Sequence, residues 1–163
     1  MRRALLAATA AVVLLSSCQF SNPFAPARMT APPTVDSECV GGMRFIHDYS
    51  AVAARYDPRY ESDRQELAAT TSLATARNLL HDLANVLDAY DAELGALKAP
   101  ADFADGLAVV VGANRDMREG ALQLGGSALS SADQAAFQDK VNTRHAAVHD
   151  LQLQVAFVSS ECG

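Results

Sequence analysis

The residues best equipped for chemistry are four histidines and three cysteines: His47-Asp48, His81-Asp82, His145 and His149-Asp150, with Cys18, Cys39 and Cys162. His145 and His149 stand four apart, the spacing at which one helix face offers two imidazoles to a zinc or copper ion. Such a pair needs further ligands. The intervening residues are Ala146, Ala147 and Val148, so the glutamate of a zinc-protease helix is missing, and no CxxCH is present for covalent haem. At 1.5 Å of rise per residue, His47 falls about 12 Å, His149 about 20 Å and His145 about 25 Å from one end of a helical bundle. His81 is expected near the base of a descending helix and opposite its apolar stripe, which argues against a four-histidine centre. The remaining reading is a weak surface site at His145 and His149, set against two histidines on a solvated face.

Three polar residues fall on otherwise apolar helical stripes: Ser50, Asn114 and Arg144. Buried polar groups require partners. Ser50 and Asn114 come out at similar heights, which predicts a core hydrogen bond, while Arg144 is expected to snorkel or pair with a carboxylate; together they are also the candidate lining of a small-ligand pocket. Asp82, Asp88, Asp91 and Glu93 read as a solvated outer face, without the looped spacing of an EF-hand. No serine occupies a GxSxG elbow. Leu153 and Phe157 lie on the far side of their helix from its stripe, a candidate contact surface.

These groups sit on four helical segments, because the chain from residue 36 onward is rich in Ala, Leu, Gln and Arg and is broken at Asp57-Pro58, Ala99-Pro100 and Gly125-Gly126. The first helix is expected from about residue 36 to 56, with Cys39, Met43, Ile46, Tyr49, Ala53 and Tyr56 on its stripe. Gly41-Gly42 either delay its start or admit another backbone closely. The second is expected from Ser62, where Ser62-Asp63-Arg64-Gln65 matches a capping box, to about Lys98. Its stripe runs from Leu73 through Leu80, Leu83, Leu87, Tyr90 and Leu94. Leu67 lies about 160° off that stripe, so a bend or phase change is expected near Thr70-Thr71-Ser72. The third enters through Pro100, carries Phe103, Leu107, Val110, Met117, Ala121 and Leu124, and stops at the glycine pair. The fourth starts at Ser131 with Gln134 as its box partner, and shows Phe137, Val141, Val148, Leu151, Val155 and Val158.

The N-terminus has a different character. Arg2-Arg3, an apolar run from Ala4 to Leu15 and the small residues Ser16-Ser17 are the parts of a secretory signal. The run is too short to span a hydrocarbon core, which takes about 20 helical residues. With Cys18 directly behind it, Leu14-Leu15-Ser16-Ser17-Cys18 resembles the lipobox of bacterial lipoproteins. The resemblance implies removal of residues 1–17, a diacylglyceryl group on the Cys18 thiol and anchoring at a membrane on its extracytoplasmic face. Gln19 resembles an outer-membrane address in an organism with two membranes. Residues 18–35 hold four of the six prolines, Pro23, Pro26, Pro32 and Pro33, and read as a tether able to reach roughly 50 Å.

Assigning Cys18 to lipid leaves Cys39 and Cys162 as an even pair at the two ends of the folded region, most simply a disulfide in an extracytoplasmic compartment. Short connections make consecutive helices antiparallel and bring those two ends together. The expected fold is therefore all-α: an up-down-up-down four-helix bundle over residues 36–163, closed by one disulfide. With 13 Lys and Arg against 19 Asp and Glu, and a net charge of -6 before Arg2 and Arg3 are removed, the chain lacks the clustered cations that nucleic-acid binding needs. The expected function is a non-enzymatic binding or scaffolding role in the bacterial envelope, with no cofactor implied. Its partner is an envelope protein or small ligand, and its membrane contact is made through lipid. The alternative is a ligand- or metal-binding bundle.

Overall fold

The computed structural model describes residues 37–162; Cys18, the signal-like segment and the proline-rich stretch lie outside them. Four helices make up this region: α1 (Ser37–Ala69), α2 (Leu73–Ala96), α3 (Ala101–Gly126) and α4 (Ser131–Cys162). The connections at 70–72, 97–100 and 127–130 are too short to cross the bundle. Each helix therefore packs antiparallel against the one before, and α4 returns beside α1 to complete an up-down-up-down bundle.

The helix boundaries correct the sequence reading in one main place. α1 does not end at Asp57-Pro58 but runs through Pro58 to Ala69, so Ser62 lies inside a helix rather than capping one. Proline in a helix interior removes one hydrogen bond and costs about 3 kcal/mol, which is why a break was expected there. Here apolar burial continues on both sides of it, from Val52 before to Tyr60 after. The actual break falls at Thr70-Thr71-Ser72, where the phase of the apolar pattern changes. There Ser72 caps α2 by accepting from the Thr75 N–H at 3.3 Å, and its own N–H donates to Thr70 Oγ1 at 3.2 Å. At α4 the cap sits one residue earlier than expected: Ser130 Oγ accepts from the Asp133 N–H, while Gln134 donates to the Leu129 carbonyl.

Moving the first turn carries His81 with it. It stands in the third turn of α2 beside Gly125, at the opposite end of the bundle from the disulfide and not near the base. The α1 stripe is also rotated from the expected one: Phe45, Tyr49, Val52 and Tyr60 are buried, and Met43 is exposed. The α2 and α3 stripes hold as read except at Leu73, which is exposed, and on α4 Phe137, Val141 and Leu151 are buried. Gly42 is a site of close approach, since a Cβ there would come 3.1 Å from Val158 Cγ1 on α4.

The core divides into two clusters. One, toward the disulfide, gathers Phe45, Tyr49, Tyr90, Phe103, Val110 and Leu151; the other, toward the far end, gathers Tyr60, Leu83, Leu87, Met117, Leu124 and Phe137. Cys39 and Cys162 form a disulfide with Cα atoms 5.4 Å apart across a sequence separation of 123, tying the first turn of α1 to the last turn of α4. A closed loop of that size restricts the unfolded chain by about 4–5 kcal/mol on the chain-entropy description. The Cys39→Ser/Cys162→Ser double variant should therefore keep its helix content by circular dichroism at 25 °C. Its free energy of urea unfolding should fall by up to about 5 kcal/mol.

Candidate functional site

Between the two clusters, at one level of the bundle, each helix contributes one polar side chain. Arg144 of α4, only 5% exposed, donates from Nε to Asn114 Oδ1 on α3 at 2.7 Å and from Nη2 to Asp57 Oδ1 on α1 at 3.3 Å. Asn114, fully buried, passes the chain on by donating from Nδ2 to Asp91 Oδ1 on α2 at 2.9 Å. The result is a relay Asp57–Arg144–Asn114–Asp91 that visits all four helices. Aromatic faces complete the surroundings of the cation: the guanidinium carbon lies 3.7 Å from the Tyr60 ring centroid and 5.8 Å from that of Tyr90.

Burial governs the titration of these groups. It pushes the Tyr90, Tyr60 and Tyr49 hydroxyls above the usual phenol range, with Arg144 opposing the rise at all three. Burial also raises the Asp91 carboxyl, against the lowering effect of the Asn114 hydrogen bond. The Tyr49 and Tyr90 hydroxyls are buried without a hydrogen-bond partner among the described residues. A neutral phenol at such a site is less costly than a charge, so burial keeps both protonated.

The expected partner of Asn114 is displaced. Ser50 is exposed, since the buried face of α1 passes through Tyr49 and turns the next residue outward; Asp91 and Arg144 take the hydrogen bonds that were assigned to it. Of the acids of α2, Asp82 and Asp88 are exposed as expected, while Asp91 and Glu93 are half-buried. Glu93 accepts from Tyr56 Oη at 2.6 Å and pairs with Arg55 on α1, and Asp88 accepts from Arg118 on α3 at 2.6 Å. Sequence reasoning missed Asp57, Tyr60 and Asp91 as members of the site. Tyr49, Tyr56 and Tyr60 are spaced to lie near one face of an unbroken helix, and that signal was hidden by ending α1 at Pro58.

His47, His81, His145 and His149 are all exposed, and among the described residues no group of three or more His, Cys, Asp or Glu side chains could hold a metal ion. His145 and His149 therefore stand as a pair without a third protein ligand there. Leu153 and Phe157 are 57% and 65% exposed on the outer face of α4, beside Asp102.

The far end of the bundle holds a half-open cavity of about 440 Å³, within the roughly 300–1,000 Å³ range of small-molecule sites. All four helices reach it, through Leu67, Leu80, Leu124 and Phe137 among others, and the α3–α4 connection adds Leu129. Leu129 has φ 56°, a left-handed conformation that a branched side chain adopts at a cost. It places a half-buried apolar side chain against the far cluster. At the cavity mouth Arg64 donates from Nε and Nη2 to Glu61 at 2.9 and 2.6 Å. That contact and a hydrogen bond from Gln65 hold the Glu61 carboxyl down at about 2. Comparison with models of known protein families, with curated proteins and with solved structures returns no match.

Two outcomes follow from this geometry. Arg144→Ala leaves Asp57 unpaired and the buried Asn114 short of a donor, and should lower the urea-unfolding free energy by about 1–3 kcal/mol. Arg144→Met combined with Asn114→Leu should cost less than Arg144→Ala alone. A folded-state pKa below the unfolded value stabilises at pH above the unfolded value and loses that contribution as pH falls through the folded one. Glu61→Gln should thus lower stability at neutral pH by less than about 1 kcal/mol, as for other exposed pairs. Its difference from the parent in thermal unfolding should close as pH drops from 4.5 toward about 2.

Proposed function

We propose that the protein is a bacterial lipoprotein, anchored through acyl groups on Cys18, whose bundle is a non-enzymatic binding module on the extracytoplasmic side of the membrane. The observation that carries this reading is Leu14-Leu15-Ser16-Ser17-Cys18 behind an apolar run and Arg2-Arg3. Two or more acyl chains hold a protein durably at a bilayer, at about 0.8 kcal/mol per buried methylene, whereas one chain is marginal. The Cys39–Cys162 disulfide supports the same compartment, because such bonds persist where the environment is oxidising. No helix among the described residues is long and apolar enough to cross a membrane, so in this reading the lipid makes the membrane contact.

The binding half of the proposal draws on the cavity at the far end of the bundle. α1 and α4 begin and end together at the disulfide, so the chain enters the bundle at that end. The cavity opens at the other.

Anchoring is tested by fractionation of cells expressing the parent and the Cys18→Ala variant. The parent should sediment with membranes, incorporate radiolabelled palmitate and resist extraction by high salt. Cys18→Ala should incorporate no label and should not be processed at that position. A parent chain that takes up no palmitate, or a Cys18→Ala chain processed and retained like the parent, contradicts the anchor.

A further inference from the structure

We propose that the cavity between the α1–α2 and α3–α4 connections binds a single-chain amphiphile with a carboxylate head, its hydrocarbon body in the cavity and its head at Arg64. The inference rests on reading the bundle as a binding module but not on the Cys18 anchor. The body of the ligand is set by the walls. Leu67, Ala76, Leu80, Leu129, Phe137 and Val141 supply apolar surface from three helices and a connection, around about 440 Å³. At roughly 30 Å³ per water-sized unit that space holds about fifteen units, enough for a ten-carbon chain together with its head. Leu73 remains 49% exposed at the mouth, an apolar side chain with water on one side that a ligand would cover.

The head is set by charge and by which polar groups are already committed. The chain carries 19 acidic against 13 basic residues, yet the cavity lining contains one cation, Arg64, and no acid. Four of the neutral polar side chains around it already make hydrogen bonds within the protein: Thr70 Oγ1 accepts from Ser72, Ser72 Oγ from Thr75, Gln134 donates to Leu129 and Gln138 to Asn142. Arg64 already holds a carboxylate, that of Glu61, in a two-point contact on the same helix. The side-chain pair is partly solvated, at 36% and 44% exposure, so a second carboxylate can compete for the guanidinium. A cationic head would meet the Arg64 guanidinium, and the carboxylate beside it, Glu61, is already held by that cation.

The test is isothermal titration calorimetry of the Cys18→Ser chain, which carries no lipid of its own, with decanoate, decan-1-ol and decyltrimethylammonium below their aggregation concentrations. Methyl NMR shifts of Leu67, Leu73 and Leu129 locate the binding. Decanoate should bind saturably with shifts confined to the methyls that line the cavity, and decyltrimethylammonium at least tenfold more weakly. Arg64→Gln should weaken decanoate about tenfold and leave decan-1-ol within twofold. Glu61→Gln, which frees the guanidinium, should tighten decanoate. Ala68→Phe, a substitution at an exposed residue of the cavity rim, should abolish binding of both decanoate and decan-1-ol while circular dichroism stays unchanged. Four results each overturn the proposal: no saturable decanoate binding; shifts spread over the whole bundle; equal loss of decanoate and decan-1-ol on Arg64→Gln; or self-association that moves the same methyls without ligand. None of them bears on palmitate incorporation at Cys18, so the anchor stands or falls separately.

Discussion

A guanidinium buried in the middle of a helical bundle has to be paired, and Arg144 finds its partners on helices other than its own. Leaving such a charge without compensation costs several kcal/mol. Satisfying it here requires Asp57 from α1 and Asn114 from α3, and Asn114 in turn requires Asp91 from α2. Apolar stripes alone do not impose that precision, since leucines and valines can slide by a turn and still be buried. A one-turn slip of any helix would move its polar group by about 5.4 Å and break the relay. The net stability from these contacts is modest. Their effect is to disfavour the alternative registers, the best-attested use of a buried polar group.

Several otherwise awkward features of the chain follow from that constraint. Pro58 is tolerated inside α1 while Asp57 pairs with Arg144 and Tyr60 lies against the guanidinium on the following turn. The core splits into two apolar clusters with the relay between them, one cluster ending at the disulfide and the other at the far connections. The base is thus tied covalently and the middle by charge, while the far end is held by packing, by caps and by a hydrogen bond from Arg77 to the Ser127 carbonyl. The 440 Å³ cavity is found at that end.

Much of the architecture was legible in the sequence, and what was not has identifiable causes. The α2 and α3 stripes are strong because Leu80, Leu83, Leu87, Leu94, Leu107 and Leu124 recur at helical spacing without competition. The Cys39–Cys162 pairing could be read from the antiparallel topology. Local rules failed where tertiary contacts outweighed them: Pro58 suggested a stop that packing of α1 overrides, and the capping signature at Ser62 has its match inside a helix. That one misplaced turn also put His81 at the wrong end and hid Tyr60. Arg144 and Asn114 stood out as polar residues on apolar stripes, but their partners Asp57 and Asp91 could not be named, because acids at the edge of a stripe look the same whether they face water or a buried cation. Ser50 was misassigned because the buried face of α1 runs through Phe45, Tyr49 and Val52 and turns the residue after Tyr49 outward.

The dependence of the bundle on the Arg144 relay is most directly tested by NMR of the Arg144 side chain in ¹⁵N-labelled protein. A guanidinium held by Asn114 and Asp57 between Tyr60 and Tyr90 should give a resolved Nε–H resonance. It should be shifted by the ring currents, exchange slowly with water and show nuclear Overhauser contacts to the Tyr60 ring protons. An Arg144 Nε–H that coincides with those of the exposed arginines, exchanges as fast and shows no contact to Tyr60 would contradict the account.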